Sequence, residues 1–345
     1  MNDLALALDD VNPLLAVLER HFEKRALDAR LGLAPGAVPW RLWETSLWAP
    51  LRDLLAQPGK GMRARLVQLG WELGGGAGDA PESLAWMIEL LHAGSLVVDD
   101  IEDGSAYRRG RPALHVAHGL PLALNAGNLL YFLPLALLEE SGLPESRQLA
   151  VHRRYADAVV RCHHGQALDL CGRLGDLAQH EVHAAVEAAT RLKTGSLVGL
   201  ALALGAVAAG ASPARERAIV AFGDEVGIAL QMLDDLGGIT SQRRRAKGHE
   251  DLLGGRLTWT WAWIADEVDG ATWGALRALG DEVEGRATHP ERLAERMRPL
   301  LAPHARVRVR RRLRAAIEHL RAEAFPASPV RALESELDLL ERSYE

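Results

Sequence analysis

An all-α chain is what the sequence predicts, on three observations. Leu, Ala, Arg and Glu recur at helical spacing through almost every segment. Alternating runs rich in Val, Ile, Thr and Tyr, which would mark strands, do not occur. Gly and Pro fall in short clusters at residues 33–39, 74–81, 104–112, 142–144, 210–213, 237–248, 254–255 and 288–290, where helices end or begin. No cluster is long enough for an interdomain linker and no short-period repeat is present, so residues 1–345 read as one domain, a large helical bundle.

Bulk properties narrow the function classes. With 345 residues, 48% of them hydrophobic and 25% charged, the chain can bury a substantial core. A net charge of -6 leaves no global basic field for nucleic acid or an anionic membrane, so any anion site must be local. The start carries Asp3, Asp9 and Asp10 where a secretory signal needs basic residues, and no later run of eighteen uncharged apolar residues is evident. The expectation is a cytoplasmic protein without stable membrane insertion. Cys162 and Cys171 lie in one helical-looking segment without CxxC or zinc spacing, which argues against a disulfide or a thiolate site. Of 40 basic residues only Lys24, Lys60, Lys193 and Lys247 are lysine. Where arginine fills nearly every basic position, a retained lysine marks a place suited to a compact point charge, such as a phosphate contact.

In chain order, the first basic feature is the turn Gly59-Lys60-Gly61-Met62-Arg63-Ala64-Arg65 after Pro58, where backbone N–H groups at a helix start can cradle an anion. Residues 84–98, LAWMIELLHAGSLVV, are apolar nearly all round, as a helix in the middle of a bundle must be. They run into Asp99, Asp100 and Asp103, with His92 seven residues before Asp99 and Arg108 and Arg109 one short loop beyond. Lys193 and Thr194 open a second apolar region, residues 197–233, which turns at 211–213 and ends in Asp234 and Asp235. Lys247 follows after a Gly-rich break and an Arg243-Arg244-Arg245 run that reads as a solvated flap. Residues 306–314, RVRVRRRLR, read as an arginine-rich solvated helix face.

Asp99 and Asp103 are four apart, so on a helix both project from one face with Asp100 alongside. The helix dipole and their mutual repulsion both oppose negative charge at a helix C-terminus, so a cation must compensate. Hard oxygen ligands in this grouping suit Mg2+, which takes one or two carboxylates per ion and completes its shell with water and phosphate oxygens. A lone DDxxD is more often a solvated helix end, as Asp9-Asp10 is. Two buried helices both finishing in Asp-Asp instead suggest a diphosphate held between clusters through metal ions.

Across essentially the whole chain the sequence resembles the polyprenyl synthetases, the farnesyl and geranylgeranyl diphosphate synthase superfamily. LLHAGSLVVDDIEDGSAYRRGRPALHVAHG is similar to that family's first motif, DDxxD followed by RRGxPxxH. FGDEVGIALQMLDD resembles the second, GxxFQxxDD; Lys193-Thr194 resembles its KT pair, and GQALDL, with Gly165, Gln166 and Asp169, its GQxxDL. The resemblance implies the isoprenoid synthase fold, an antiparallel helical bundle around one central apolar cavity, usually a homodimer. It implies that Asp99, Asp103 and Asp234 hold Mg2+, three ions per active site, with Asp100 and Asp235 supporting. It places Arg108, Lys193 and Lys247 on an allylic diphosphate, Lys60, Arg63, His92 and Arg109 on isopentenyl diphosphate, and Thr194 and Gln231 near the reacting carbons. The second motif departs in reading DDLGG, with Gly238 where a third carboxylate stands in a full DDxxD.

Gly94 and Ser95, five and four residues before Asp99, are small where farnesyl synthases carry bulky aromatics. The resemblance therefore implies a pocket open to a C20 product, geranylgeranyl diphosphate, floored by Leu90, Leu91, Leu129 and Phe132. Two other readings compete: a class I terpene cyclase on the same scaffold, which would not need Lys60, Arg63, His92 and Arg109 together, and a non-catalytic regulatory subunit, which should lack an Asp cluster or the lysines.

Overall fold

Gly210 ends one helix in the left-handed region, at φ 97, and Ser212 caps the next by accepting the N–H of Arg215 ahead of Pro213. Such punctuation recurs through the computed structural model, which describes residues 13–56, 61–302, 304–342 and 344, with residues 24–26 described by backbone alone. Helices follow in chain order: α1 Pro13–His21, α2 Lys24–Arg30, α3 Trp40–Trp43, α4 Ala49–Leu55, α5 Met62–Leu73, α6 Glu82–Glu102, α7 Leu114–His118, α8 Leu120–Glu139 and α9 Glu145–Cys171. Then come α10 Val182–Thr190, α11 Ser196–Ala209, α12 Pro213–Thr240, α13 Arg245–Leu253, α14 Trp259–Glu267, α15 Gly270–Glu284, α16 Pro290–Leu301, α17 Ala305–Ala322 and α18 Ala327–Arg342. The expected all-α class holds. Strand pairing among the described residues is confined to a two-stranded hairpin, β1 Tyr107–Arg108 and β2 Arg111–Pro112, and an isolated antiparallel bridge between Arg173 and Arg256.

Two compact units make up the chain: residues 1–65 with 79–144, and residues 66–78 with 145–345. The first centres on α6 against α8. Leu90, Val97, Ala126 and Leu130 are buried there with Leu18 and Leu51, and Trp40, Trp43 and Trp48 pack on this core. Burying a side chain such as Leu or Val contributes about 1.5–3 kcal/mol.

In the second unit α11 is buried over almost its entire length between its neighbours, because its side chains are Leu, Val, Ala and Gly. Residues 66–73 of α5 approach it closely: a Cβ on Gly70 would lie 1.9 Å from the Leu202 carbonyl oxygen. Trp259 and Trp261 of α14 are fully buried.

By length and composition two helical stretches could cross a membrane, Leu120–Glu139 and the continuous run Gln179–Ala209, although neither holds eighteen consecutive uncharged apolar residues. The second is 72% buried within the protein, the condition of a core helix.

Candidate active site

Asp99 and Asp100 sit at the end of α6 because that helix runs without a break from Glu82 to Glu102, and its period decides which carboxylate turns inward. Asp100 is buried and accepts from Arg108 through Nε, at 2.9 and 3.1 Å, and through Nη2. Asp99 stays half-buried, 3.5 Å from Arg108 Nη2. Burial raises the Asp100 carboxyl above its ordinary range, with the Arg108 guanidinium pulling the other way.

Arg108 is delivered by the hairpin. Its turn residues Arg109 and Gly110 have φ 51 and 78, the two left-handed residues of a type I′ turn. Gly110 adopts this freely; Arg109 does so against its side chain, a strain that clusters at functional sites.

His92 lies one face of α6 back from Asp99. Its Nδ1 is buried without a hydrogen-bond partner. Burial first, then Arg63, Arg109 and Arg108, holds its pKa well below the ordinary histidine value, so the ring is neutral near pH 7. The first unit thus gathers Arg63, His92, Arg108 and Arg109 beside the first acidic group. Lys60 lies outside the described residues. His115 joins this set unforeseen: its charge acts on Asp100 and its Nδ1 is likewise buried without a partner. Its signal was the last position of the RRGxPxxH stretch.

Because His92 refuses a proton that the unfolded chain accepts near pH 6.5, stability is full above that pH and falls as pH drops through it. Melting temperature should decline from pH 7 to pH 5, and less steeply in His92→Gln; equal slopes would assign the decline to other groups.

Gly94, expected to line a substrate pocket, instead lets α6 touch α8. A Cβ there would meet the Gly127 carbonyl oxygen at 2.7 Å and Leu130 Cβ at 2.8 Å. Ser95, half-buried, donates to the His92 carbonyl at 2.8 Å. Of the expected floor, Leu90 and Leu91 are buried and Leu129 half-buried, whereas Phe132 is 69% exposed and faces away from the unit's core.

In the second unit, Lys193 and Thr194 occupy a π-helical stretch, Arg191–Gly195, between α10 and α11. Such bulges are frequent at functional sites. Thr194 Oγ1 donates to Gln231 Oε1 at 3.1 Å, Gln231 Nε2 donates to Asp235 Oδ1 at 2.8 Å, and the Trp259 N–H donates to Asp235 Oδ2 at 2.7 Å. Asp235 was expected to support a metal ion. Both its oxygens are engaged inside the protein, and burial pushes its pKa up to about 8, so it positions Gln231 instead. Asp234 points outward and pairs with Arg244, whose guanidinium lies 4.0 Å from the Tyr344 ring centroid. The arginine run is therefore not wholly a solvated flap.

Lys193 Nζ lies 2.6 Å from Asp169. Lys247 lies 3.5 Å from Asp251 and 3.9 Å from Glu250. Asp251 was missed by the sequence reading; burial raises its pKa, and Lys247 and Arg256 oppose that. The available signal was its place one helical turn after Lys247.

Among the described residues no three or more His, Cys, Asp or Glu converge as a closed metal cage. That is compatible with Mg2+, which needs only one or two carboxylates per ion. Asp99 and Asp103 in the first unit, and Asp234 in the second, are each hard oxygen donors that keep accessible surface, a donor chemistry that fits this ion.

Residues 44–279 match the family model described as Polyprenyl synthetase. The chain is 32% identical over 211 residues to the geranylgeranyl diphosphate synthase of Sulfolobus acidocaldarius, 61% of each chain, so it spans less than two thirds of that relative's length. To geranylgeranyl pyrophosphate synthase 10, mitochondrial, of Arabidopsis thaliana it is 30% identical over 239 residues, 65% of this chain and 67% of the other. A crystal structure of geranylgeranyl pyrophosphate synthase from Corynebacterium glutamicum superposes with a TM-score of 0.72 at 24% identity, covering 97% of this chain and 99% of that one. The last of these likenesses concerns the fold alone. The family match is of another order, for it runs through both acidic groups, the hairpin and the bulged Lys193-Thr194 stretch over more than half of the sequence, and by it the chain belongs to the polyprenyl synthetase family.

Proposed function

We propose that the chain is a trans-prenyltransferase, condensing isopentenyl diphosphate with an allylic diphosphate to give geranylgeranyl diphosphate, C20. The observation that carries this is the first unit's basic group. Arg63, His92, Arg108 and Arg109 stand together beside three aspartates, an anion site that an enzyme using one diphosphate would not need. A cyclase is disfavoured for that reason, and a regulatory subunit by the presence of both acidic groups.

Bound at Asp99, Asp103 and Asp234, Mg2+ would supply Lewis-acid stabilisation of the leaving diphosphate. The chain's own residues do the rest. Arg108, Lys193 and Lys247 supply fixed positive charge for the allylic diphosphate, which favours breaking of the C–O bond by preorganised electrostatics. Arg63, His92 and Arg109 hold isopentenyl diphosphate, the neutral His92 donating one hydrogen bond. The alkene attacks the allylic carbon, and a proton leaves to the released diphosphate. Thr194 and Gln231, fixed by Asp235, present side-chain oxygens where positive charge develops. Dry apolar helix faces exclude water that would quench the cation.

A second copy of the chain is the proposed partner, seated on the stripe of α8 where Leu120, Leu124 and Phe132 recur four or eight residues apart and stay exposed. The proposed compartment is the cytoplasm, in keeping with Cys162 and Cys171 as free thiols.

The test is incubation with Mg2+, isopentenyl diphosphate and dimethylallyl, geranyl or farnesyl diphosphate, followed by phosphatase and product analysis. Linear C20 prenol is expected. Cyclic hydrocarbon formed without isopentenyl diphosphate would replace this reading with the cyclase, and no turnover would favour the regulatory one. Ser95→Phe should shift the product toward C15. Gly94→Phe should fail to fold rather than shorten the product, since even a Cβ collides with α8.

A further inference from the structure

A cavity of about 550 Å3 opens in the second unit among α10, α12, α14 and α17, and no residue of either acidic group lines it. Its floor is apolar: Phe222 and Met232 from α12, Trp259 and Trp263 from α14, all buried. Its wall on α17 is cationic, formed by Arg308, Arg311 and Arg312, part of the arginine run that sequence reasoning left to solvent. Two of the three are committed. Arg308 lies 3.1 Å from Asp266, and Arg312 lies 2.7 Å from Glu225 and 3.2 Å from Glu187. Arg311 is exposed and has no acidic partner among the described residues, nor has Arg314 one turn on. Small-molecule sites pair about this volume of apolar wall with a few fixed polar groups. An uncompensated guanidinium above an indole floor selects an anion joined to hydrocarbon, since a bare inorganic anion would leave the floor wet.

We propose that this cavity binds a small amphipathic anion, an aromatic or prenyl body bearing one phosphate, sulfonate or carboxylate, with the body against Trp263 and the Arg312 guanidinium that covers the Trp259 ring at 5.5 Å, and the head at Arg311. The site is wired to the groups assigned above to the reaction. Trp259, which forms its floor, donates its backbone N–H to Asp235 and its Nε1 to Thr190 at 3.0 Å; Asp235 in turn holds Gln231. A ligand that shifts Trp259 moves Gln231. This coupling rests on the proposed prenyl transfer, whereas the binding does not.

The test is calorimetric titration of the full, metal-free chain with 8-anilinonaphthalene-1-sulfonate. One saturable site is expected. Ala315→Trp, which fills the mouth from an exposed position, and Arg311→Glu should each weaken binding about tenfold or more, at unchanged melting temperature. Geranylgeranyl monophosphate and oleate serve as competitors that separate a prenyl from a fatty-acyl body, with sodium sulfate as the head group alone. Parent affinity in both variants, or displacement by sulfate alone, would overturn the proposal. A parent chain that binds the dye as expected but elongates no prenyl diphosphate would sink the proposed function and leave this site standing.

Discussion

Asp99→Asn is expected to lower kcat by about 10²–10³-fold while leaving the melting temperature nearly unchanged. The two halves of this expectation have separate causes. Asp99 is only half-buried, where the proposed Mg2+ would meet it, and the amide keeps its shape but removes the charge. Structurally it contributes little, since its contact with Arg108 is long at 3.5 Å and the side chain is partly solvated. Its neighbour behaves differently. Asp100 is buried and holds Arg108 through Nε and Nη2 of one guanidinium edge, so Asp100→Asn should cost about 1–3 kcal/mol of stability as well as activity. Thermal melts beside steady-state rates across a Mg2+ titration separate the two. If Asp99→Asn lost stability as much as Asp100→Asn, the division between an outward ligand and an inward anchor would be wrong. If rising Mg2+ restored Asp99→Asn to full kcat, the loss would be one of metal affinity alone.

The helices were legible because two physical signals agreed. Apolar residues recurred at helical period, and residues that cannot continue a helix fell between them, as at Gly210, Ser212 and Pro213. The acidic groups were legible because charge at the end of an apolar helix is costly without a purpose. What stayed hidden is where one residue type serves opposite ends. Gly237-Gly238 reads as a break, yet α12 continues to Thr240, because Gly238 lets α13 approach: a Cβ there would lie 3.0 Å from Gly248 Cα. Gly94 reads as room for substrate and is instead room for a helix. Asp235 shares a dipeptide with Asp234, and only the helix rotation of about 100° between them decides that one faces outward and the other receives the Trp259 N–H. Spacing names the face of a helix; it does not say what another helix brings to that face.

Gly227→Ala should therefore act at a distance from any charge, lowering stability by about 1–3 kcal/mol and the rate by about tenfold or more. On α12, Gly223, Gly227, Gln231 and Asp235 recur every four residues and form one ridge. Its glycine half rests directly on the start of α11 and the bulge before it. A Cβ on Gly223 would stand 2.4 Å from Gly199 Cα, and one on Gly227 would stand 2.6 Å from Gly195 Cα and 2.7 Å from the Thr194 carbonyl oxygen. Backbone is met on the far side in every case, so no rotamer change can relieve the clash and the two segments must separate. Thr194 and Gln231, whose hydrogen bond spans those segments one turn further on, separate with them. Gly274→Ala gives the matching control, because a Cβ there meets nothing within 4 Å and a glycine inside a helix is exchanged for a better helix former. That variant should gain about 0.4–1 kcal/mol with unchanged turnover. Thr194→Val, which deletes the hydroxyl and keeps the volume, should reproduce the rate loss of Gly227→Ala with a smaller loss of stability. A Gly227→Ala chain that melts lower yet turns over at the parental rate would show that this glycine ridge holds the helices together without positioning Gln231.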